Sequence, residues 1–73
     1  MSKLPIVSGN ECVKALIRAG FNIDRQKGSH VILYKDNPKA RAVVPNHKTI
    51  KKGTLRQIIA DSGLTIEDFL KCL

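Results

Sequence analysis

An unbroken apolar run at residues 31–34, Val-Ile-Leu-Tyr, stands between two turn signals and constrains the fold more than any other segment. Lys27-Gly28 precedes the run, and this glycine can supply the positive φ of a tight hairpin turn. Asp36-Asn37-Pro38-Lys39 follows it, and this proline cannot donate to a central ladder. We therefore predict a β-strand from Ser29 to Lys35 with a turn at each end.

The segments on either side predict the two other strands of an antiparallel meander. From Phe21 to Gln26 apolar and polar residues alternate, so we expect a first strand with Phe21 and Ile23 turned inward. Ala40 to Pro45 predicts the third strand.

The central strand is apolar on both faces, whereas a sheet covered by helices on one side normally alternates. Such a strand is either fully buried or keeps an exposed patch for a partner. We expect Val31 and Leu33 in the core. The opposite, more accessible face then carries His30, Ile32 and Tyr34.

Capping signals predict helices before and after the sheet. Ser8 and Glu11 form a capping box, and Gly20 ends that first helix. A second helix is expected from about Lys51 to Ser62, and a short third one follows the N-cap Thr65 and ends at Leu70. The order α-β-β-β-α with a short C-terminal helix predicts one α+β domain. Its helices pack on one face of a three-stranded antiparallel sheet.

Basic charge is concentrated in the middle of the chain. From Arg25 to Arg56 the chain has nine Lys or Arg residues and one acidic residue, Asp36, so this stretch has a net charge of +8. The whole chain has a net charge of +7. The block predicts a polyanionic partner, namely nucleic acid, an acidic protein or a membrane surface. Cys12 and Cys72 have no metal-ligand spacing, and no apolar run suits a secretory or membrane segment. We expect a cytoplasmic protein with reduced thiols and no metal or cofactor.

His30 is the residue best suited to chemistry, because imidazole exchanges protons near neutral pH and the preceding glycine turn lets a ligand approach closely. The alternative is an ordinary strand histidine. His47 follows the third strand, whose end meets the start of the second strand at one edge of an antiparallel sheet. His47 is therefore either an acid/base partner of His30 or a loop residue that never meets it.

Residues 48–54 predict a phosphate site, where lysines meet the free N–H groups and positive dipole end of the second helix. Lysines that only confer solubility are the alternative. Carboxylates are nearly absent from the basic block, which favours metal-free cleavage of RNA. There the 2′-hydroxyl is an internal nucleophile, and one histidine with several lysines can supply proton transfer and charge stabilisation.

Five stretches of the chain occur together, in this order, in one known family. They are Leu16 to Phe21, Lys27 to Val31, Val44 to His47, Lys51 to Leu55 and Ala60 to Leu70. With them the chain resembles the HicA-type toxins, the small mRNA interferases of HicAB toxin–antitoxin systems. Many relatives carry Pro-Asp-Gly between the second and third strands, where this chain has Asp36-Asn37-Pro38-Lys39.

The resemblance implies a double-stranded-RNA-binding-domain-like fold, cleavage of mRNA, and a catalytic histidine at His30. It also implies an acidic HicB-type antitoxin that covers the active face, here expected at His30, Ile32 and Tyr34. We expect a monomeric free toxin and a hetero-oligomer with the antitoxin. The expected RNA and phosphate contacts are Lys27, Gly28, Ser29, His47, Lys48, Lys51, Lys52, Gly53 and Thr54.

Two other classes of function fit the same basic domain. A non-catalytic double-stranded-RNA-binding module would use Lys51, Lys52 and Arg56 to grip phosphates across a groove. An interaction protein would dock an acidic partner on its basic face. His30 favours the enzyme, because binding alone does not require a histidine there.

Overall fold

The structure, a computed structural model, describes residues 4–36 and 39–73, which form three helices and one three-stranded sheet. The elements are α1 (Gly9–Arg18), β1 (Asn22–Lys27), β2 (His30–Lys35), β3 (Ala40–Pro45), α2 (Lys52–Ser62) and α3 (Ile66–Cys72). The sheet is antiparallel in the order β1-β2-β3. The predicted α+β fold and its order of elements are confirmed. None of the helices in these residues is long and apolar enough to cross a membrane.

The helix ends follow the local capping signals. Ser8 Oγ accepts the Glu11 N–H at 3.1 Å, and the Glu11 carboxylate accepts the Ser8 N–H at 3.0 Å, so the predicted capping box is present. The Thr65 hydroxyl caps α3 by accepting the Asp68 N–H. Gly63 ends α2 with a φ of 77°, a left-handed conformation that suits glycine.

The helices cover one face of the sheet, which we call the inner face. Val31 and Leu33 of β2 point into the core from this face, as predicted, and Ala42 and Val44 of β3 lie beside them. The largest fully buried side chains from the rest of the chain close the core above them. They are Leu16, Phe21, Leu55 and Phe69.

The first strand differs from the prediction. It spans residues 22–27 instead of 21–26, and Phe21 is buried just before it. Ile23 pairs with Leu33 and faces the same side, yet it is 52% exposed. The reason is that β1 is an edge strand, exposed along its whole length, whose register shifts between Ile23 and Arg25.

Three smaller boundaries also differ. β2 begins at His30, because Ser29 belongs to the preceding turn. α3 continues to Cys72, beyond the predicted end at Leu70. In the turn predicted at residues 36–39, Asn37 and Pro38 lie outside the described residues.

Both cysteines are free thiols, as expected. Cys12 is completely buried on α1, and this burial raises the pKa of its thiol to about 12. A thiol held in its protonated form in the core is a packing residue.

Candidate functional site

A groove of about 370 Å³ opens where β2 begins and β3 ends. We call it the histidine groove, and its lining residues are His30, Pro45, His47, Thr49, Lys51 and Thr54. Four of these six were named as candidates from the sequence, both histidines of the chain among them, and Thr49 lies within the predicted phosphate segment 48–54. The groove therefore gathers side chains from the sheet, the loop after it and the start of α2.

His30 reaches the groove through the geometry of the hairpin between β1 and β2. Lys27 pairs with His30, which leaves Gly28 and Ser29 as a two-residue turn. Gly28 has a φ of 60°, and a Cβ there would meet no atom within 4 Å. The glycine is needed for its backbone conformation, and the tight turn sets His30 at the very end of the sheet, exposed to solvent.

His47 is brought beside His30 by the chain immediately after β3. His30 pairs with Pro45, and the Asn46 N–H extends the ladder by one bond of 2.6 Å to the Ser29 carbonyl. The His47 N–H then bonds back to the Pro45 carbonyl at 2.9 Å, which closes a three-residue turn. This turn keeps His47 next to the strand end, so both histidines line the same groove.

Gly9, which the sequence analysis missed as a site residue, holds this turn from the other side. It is the first residue of α1, and its N–H donates to the His47 carbonyl at 2.8 Å. A Cβ at this position would overlap the Pro45 carbonyl oxygen and stand 2.9 Å from the Asn46 Cα. The sequence signal was a glycine, a poor helix former, directly after a well-formed N-cap.

The start of α2 forms the cationic side of the groove. Ile50 is buried, and its N–H bonds to the Val7 carbonyl at 2.9 Å, which fixes the loop just before the helix. The N-cap residue is Lys51, whose side chain makes no capping hydrogen bond. The first N–H groups of α2 and its positive dipole end therefore lie beside a lysine at the groove.

The remaining predicted contact residues lie around the groove and do not line it. Lys27 is paired with His30 on β1, and the turn residues Gly28 and Ser29 are exposed. Lys48, Lys52 and Gly53 are also exposed. Of the residues described that line the groove, none is acidic. Anywhere in residues 4–36 and 39–73, no three His, Cys, Asp or Glu side chains cluster in a way that could hold a metal ion.

The face of the sheet opposite the helices, which we call the outer face, carries the predicted patch. His30, Ile32 and Tyr34 all lie on it, and Tyr34 is 40% exposed. Val43 pairs with Ile32 and is 42% exposed, so it enlarges the apolar centre. The sequence analysis missed Val43, although two adjacent valines in a strand require one to face outward. The cations on this face are Arg25, Lys27 and Arg41.

Comparison with known proteins gives one result. The family model for the HicA toxin of bacterial toxin–antitoxin systems matches residues 9–64, which is more than half of the chain. No curated protein matches the sequence. The matched range runs from Gly9 to just beyond α2 and contains every residue of the histidine groove and of the outer face.

Proposed function

The chain belongs to the HicA toxin family of bacterial toxin–antitoxin systems, and we propose that it is a metal-independent endoribonuclease that cleaves messenger RNA. In this proposal His30 is a general acid or base. The observation that carries it is the histidine groove, where an exposed imidazole, a lysine and an uncapped helix start meet at one end of the sheet. A cytoplasmic site of action, expected from the sequence, suits such a substrate.

Cleavage of RNA requires few catalytic groups from a protein. The substrate carries its own nucleophile, the 2′-hydroxyl, beside the phosphorus atom, so the protein gains the advantage of an intramolecular attack. What remains is proton transfer and stabilisation of charge on the phosphoryl oxygens. His30 supports the first task, and Lys51 with the N–H groups of the first turn of α2 supports the second.

The surroundings of the groove suit a polyanionic strand. Lys27 stands across from His30, and Lys48 and Lys52 are exposed on either side of Lys51. Each phosphate contact of this kind adds salt-dependent affinity without sequence preference. We propose that these lysines position the RNA backbone, together with the turn residues Gly28 and Ser29 and the helix residues Gly53 and Thr54.

Membership of the family implies an antitoxin as partner, and we propose an acidic HicB-type antitoxin that binds the outer face. Exposed Tyr34 and Val43 form an apolar centre with half-buried Ile32, and Arg25 and Arg41 flank it. An apolar centre with a charged rim is the ordinary composition of a protein interface. Because His30 lies on the same face, a partner seated there also blocks the groove, and inhibition needs no change of shape.

The test of the activity is a gel assay of labelled RNA with purified protein in EDTA. Wild type is expected to cleave, and His30→Ala to lose roughly 100- to 10,000-fold in rate, the usual contribution of a general acid or base. Asn22→Ala is the matched control, because Asn22 is an exposed residue at the far end of the same face.

The outcomes separate the candidate functions. Equal rates for folded His30→Ala and wild type would remove His30 from the chemistry. Salt-sensitive RNA binding by wild type without any cleavage would instead identify a non-catalytic RNA-binding module. If the protein neither binds nor cleaves RNA, the remaining candidate is a protein that docks an acidic partner.

A further inference from the structure

We propose that His47 is the second proton-transfer group of the histidine groove, so that His30 and His47 each carry one of the two proton transfers of RNA cleavage. This role rests on the endoribonuclease activity proposed above. It goes beyond a phosphate contact, because it assigns the imidazole of His47 to the reacting atoms.

Transesterification of RNA involves two proton transfers at opposite ends of the reacting phosphate. The 2′-oxygen loses its proton to one imidazole and bonds to phosphorus. The bond from phosphorus to the 5′-oxygen breaks with its electron pair on that oxygen, which takes a proton from the second imidazole. The products are a 2′,3′-cyclic phosphate and a 5′-hydroxyl. Two histidines in one groove provide one group for each end.

The backbone holds His47 in a fixed place, as a proton-transfer group requires. Its own N–H bonds to the Pro45 carbonyl, and its carbonyl accepts the Gly9 N–H at 2.8 Å. Asn46, directly before it, is tied to Ser29, the residue directly before His30. The two histidines are thus joined through one ladder bond between their neighbours and do not depend on a mobile loop for their spacing.

The side chain of His47 is left available by this arrangement. All three bonds around it use backbone atoms, and among the residues described neither His30 nor His47 makes a side-chain hydrogen bond. Both residues are exposed. Pro45, a rigid and buried residue, pairs with His30 and lies two residues before His47 in the chain.

The rest of the lining suits the phosphate that the two imidazoles would flank. Lys51 adds positive charge, and the hydroxyls of Thr49 and Thr54 are hydrogen-bond donors. These groups can bind the non-bridging oxygens, which leaves the two imidazoles for the attacking and leaving oxygens. A substitution of His47 should therefore reduce the cleavage step itself more than RNA affinity.

The experiment compares wild type, His30→Gln and His47→Gln under single-turnover conditions with two substrates. One is ordinary RNA, and the other has sulfur in place of the 5′-oxygen at the cleavage site. A thiolate leaves without protonation, because a thiol is far more acidic than an alcohol. Each variant is expected to lose roughly 100- to 10,000-fold on ordinary RNA at saturating protein. The sulfur substrate should restore the rate of one variant, the one that lacks the acid, and leave the other slow.

Other results overturn the proposal. Cleavage of ordinary RNA by His47→Gln at the wild-type rate contradicts the proposal, and a loss of rate that disappears at saturating protein makes His47 a binding residue only. If the sulfur substrate restores the cleavage rate of both variants, or of neither, then the two histidines do not each carry one proton transfer. Because the fold uses only backbone atoms of His47, the variant should melt like wild type. If wild type itself does not cleave, the proposed function fails; if wild type cleaves and only the His47 results differ, this inference alone fails.

Discussion

Replacing Gly9 by alanine should destabilise the protein, although alanine is the better helix former. A Cβ at Gly9 overlaps the Pro45 carbonyl oxygen and crowds the backbone of Asn46 and His47, so α1 must move away from the turn after β3. Overpacking of this kind costs about 1–3 kcal/mol. Weakening the bond from the Gly9 N–H to the His47 carbonyl costs about 0.5–1.5 kcal/mol more.

Against these costs stands the helix-propensity gain of about 0.5–1 kcal/mol for alanine over glycine. The balance is a loss of about 0.5–4 kcal/mol in the free energy of unfolding. Gly53→Ala is the matched control, because Gly53 also lies in the first turn of a helix, and a Cβ there meets nothing within 4 Å. That variant should be more stable than wild type by up to about 1 kcal/mol.

Urea unfolding followed by circular dichroism measures both variants. In a domain of this size each kcal/mol moves the melting temperature by about 4–8 °C, so thermal melts should separate the two variants clearly. If Gly9→Ala proved as stable as Gly53→Ala, the close approach of α1 to the turn that holds His47 would be wrong.

Three further predictions concern other parts of the chain. Because burial raises the pKa of Cys12 from 9.0 to about 12, folding favours the protonated thiol. The stability that this adds is present below about pH 9 and is lost as pH rises toward 12, and Cys12→Ala should flatten the pH dependence of unfolding in this range. The double variant Lys51→Gln, Lys52→Gln should bind RNA more weakly and reduce the slope of log affinity against log salt by up to about two phosphate contacts. The control Lys14→Gln, Lys71→Gln removes equal charge from α1 and α3 and should leave most of that slope. An unchanged slope for the first pair would mean that Lys51 and Lys52 do not contact the RNA. Co-purification with the product of the neighbouring gene, followed by hydrogen exchange, should show protection of residues 29–35, and a complex that leaves β2 as open as in the free protein would contradict direct occlusion of His30.

The sequence predicted the elements well because their ends are set by local chemistry. The capping box of Ser8 and Glu11, the N-cap of Thr65 and the left-handed Gly63 act within a few residues of themselves. Burial on β1 was predicted less well. Whether Ile23 is covered depends on how far the helices reach across the sheet and on the irregular register beside it, and neither is encoded in the alternation of residues 21–26.

The site shows the same division between local and distant causes. Strand topology alone predicted that the start of β2, with His30, and the end of β3, just before His47, meet at one edge of the sheet, but it left open whether the two histidines meet. The hydrogen bond that fixes His47 is donated by the N–H of Gly9, which lies far from His47 in the sequence, and no sequence pattern near His47 predicts it. Val43 was missed for a related reason, because only the register of β3 decides which of two adjacent valines faces outward.

The most direct test of the central claim is the dependence of cleavage on the 2′-hydroxyl. Wild type is incubated in EDTA with an RNA and with its 2′-O-methyl counterpart of the same sequence, and both are resolved on a gel. The groove with His30 predicts cleavage of the RNA into fragments with a cyclic phosphate and a 5′-hydroxyl, and no cleavage of the methylated strand. Equal cleavage of both strands, or an intact RNA in the absence of metal ions, would contradict it.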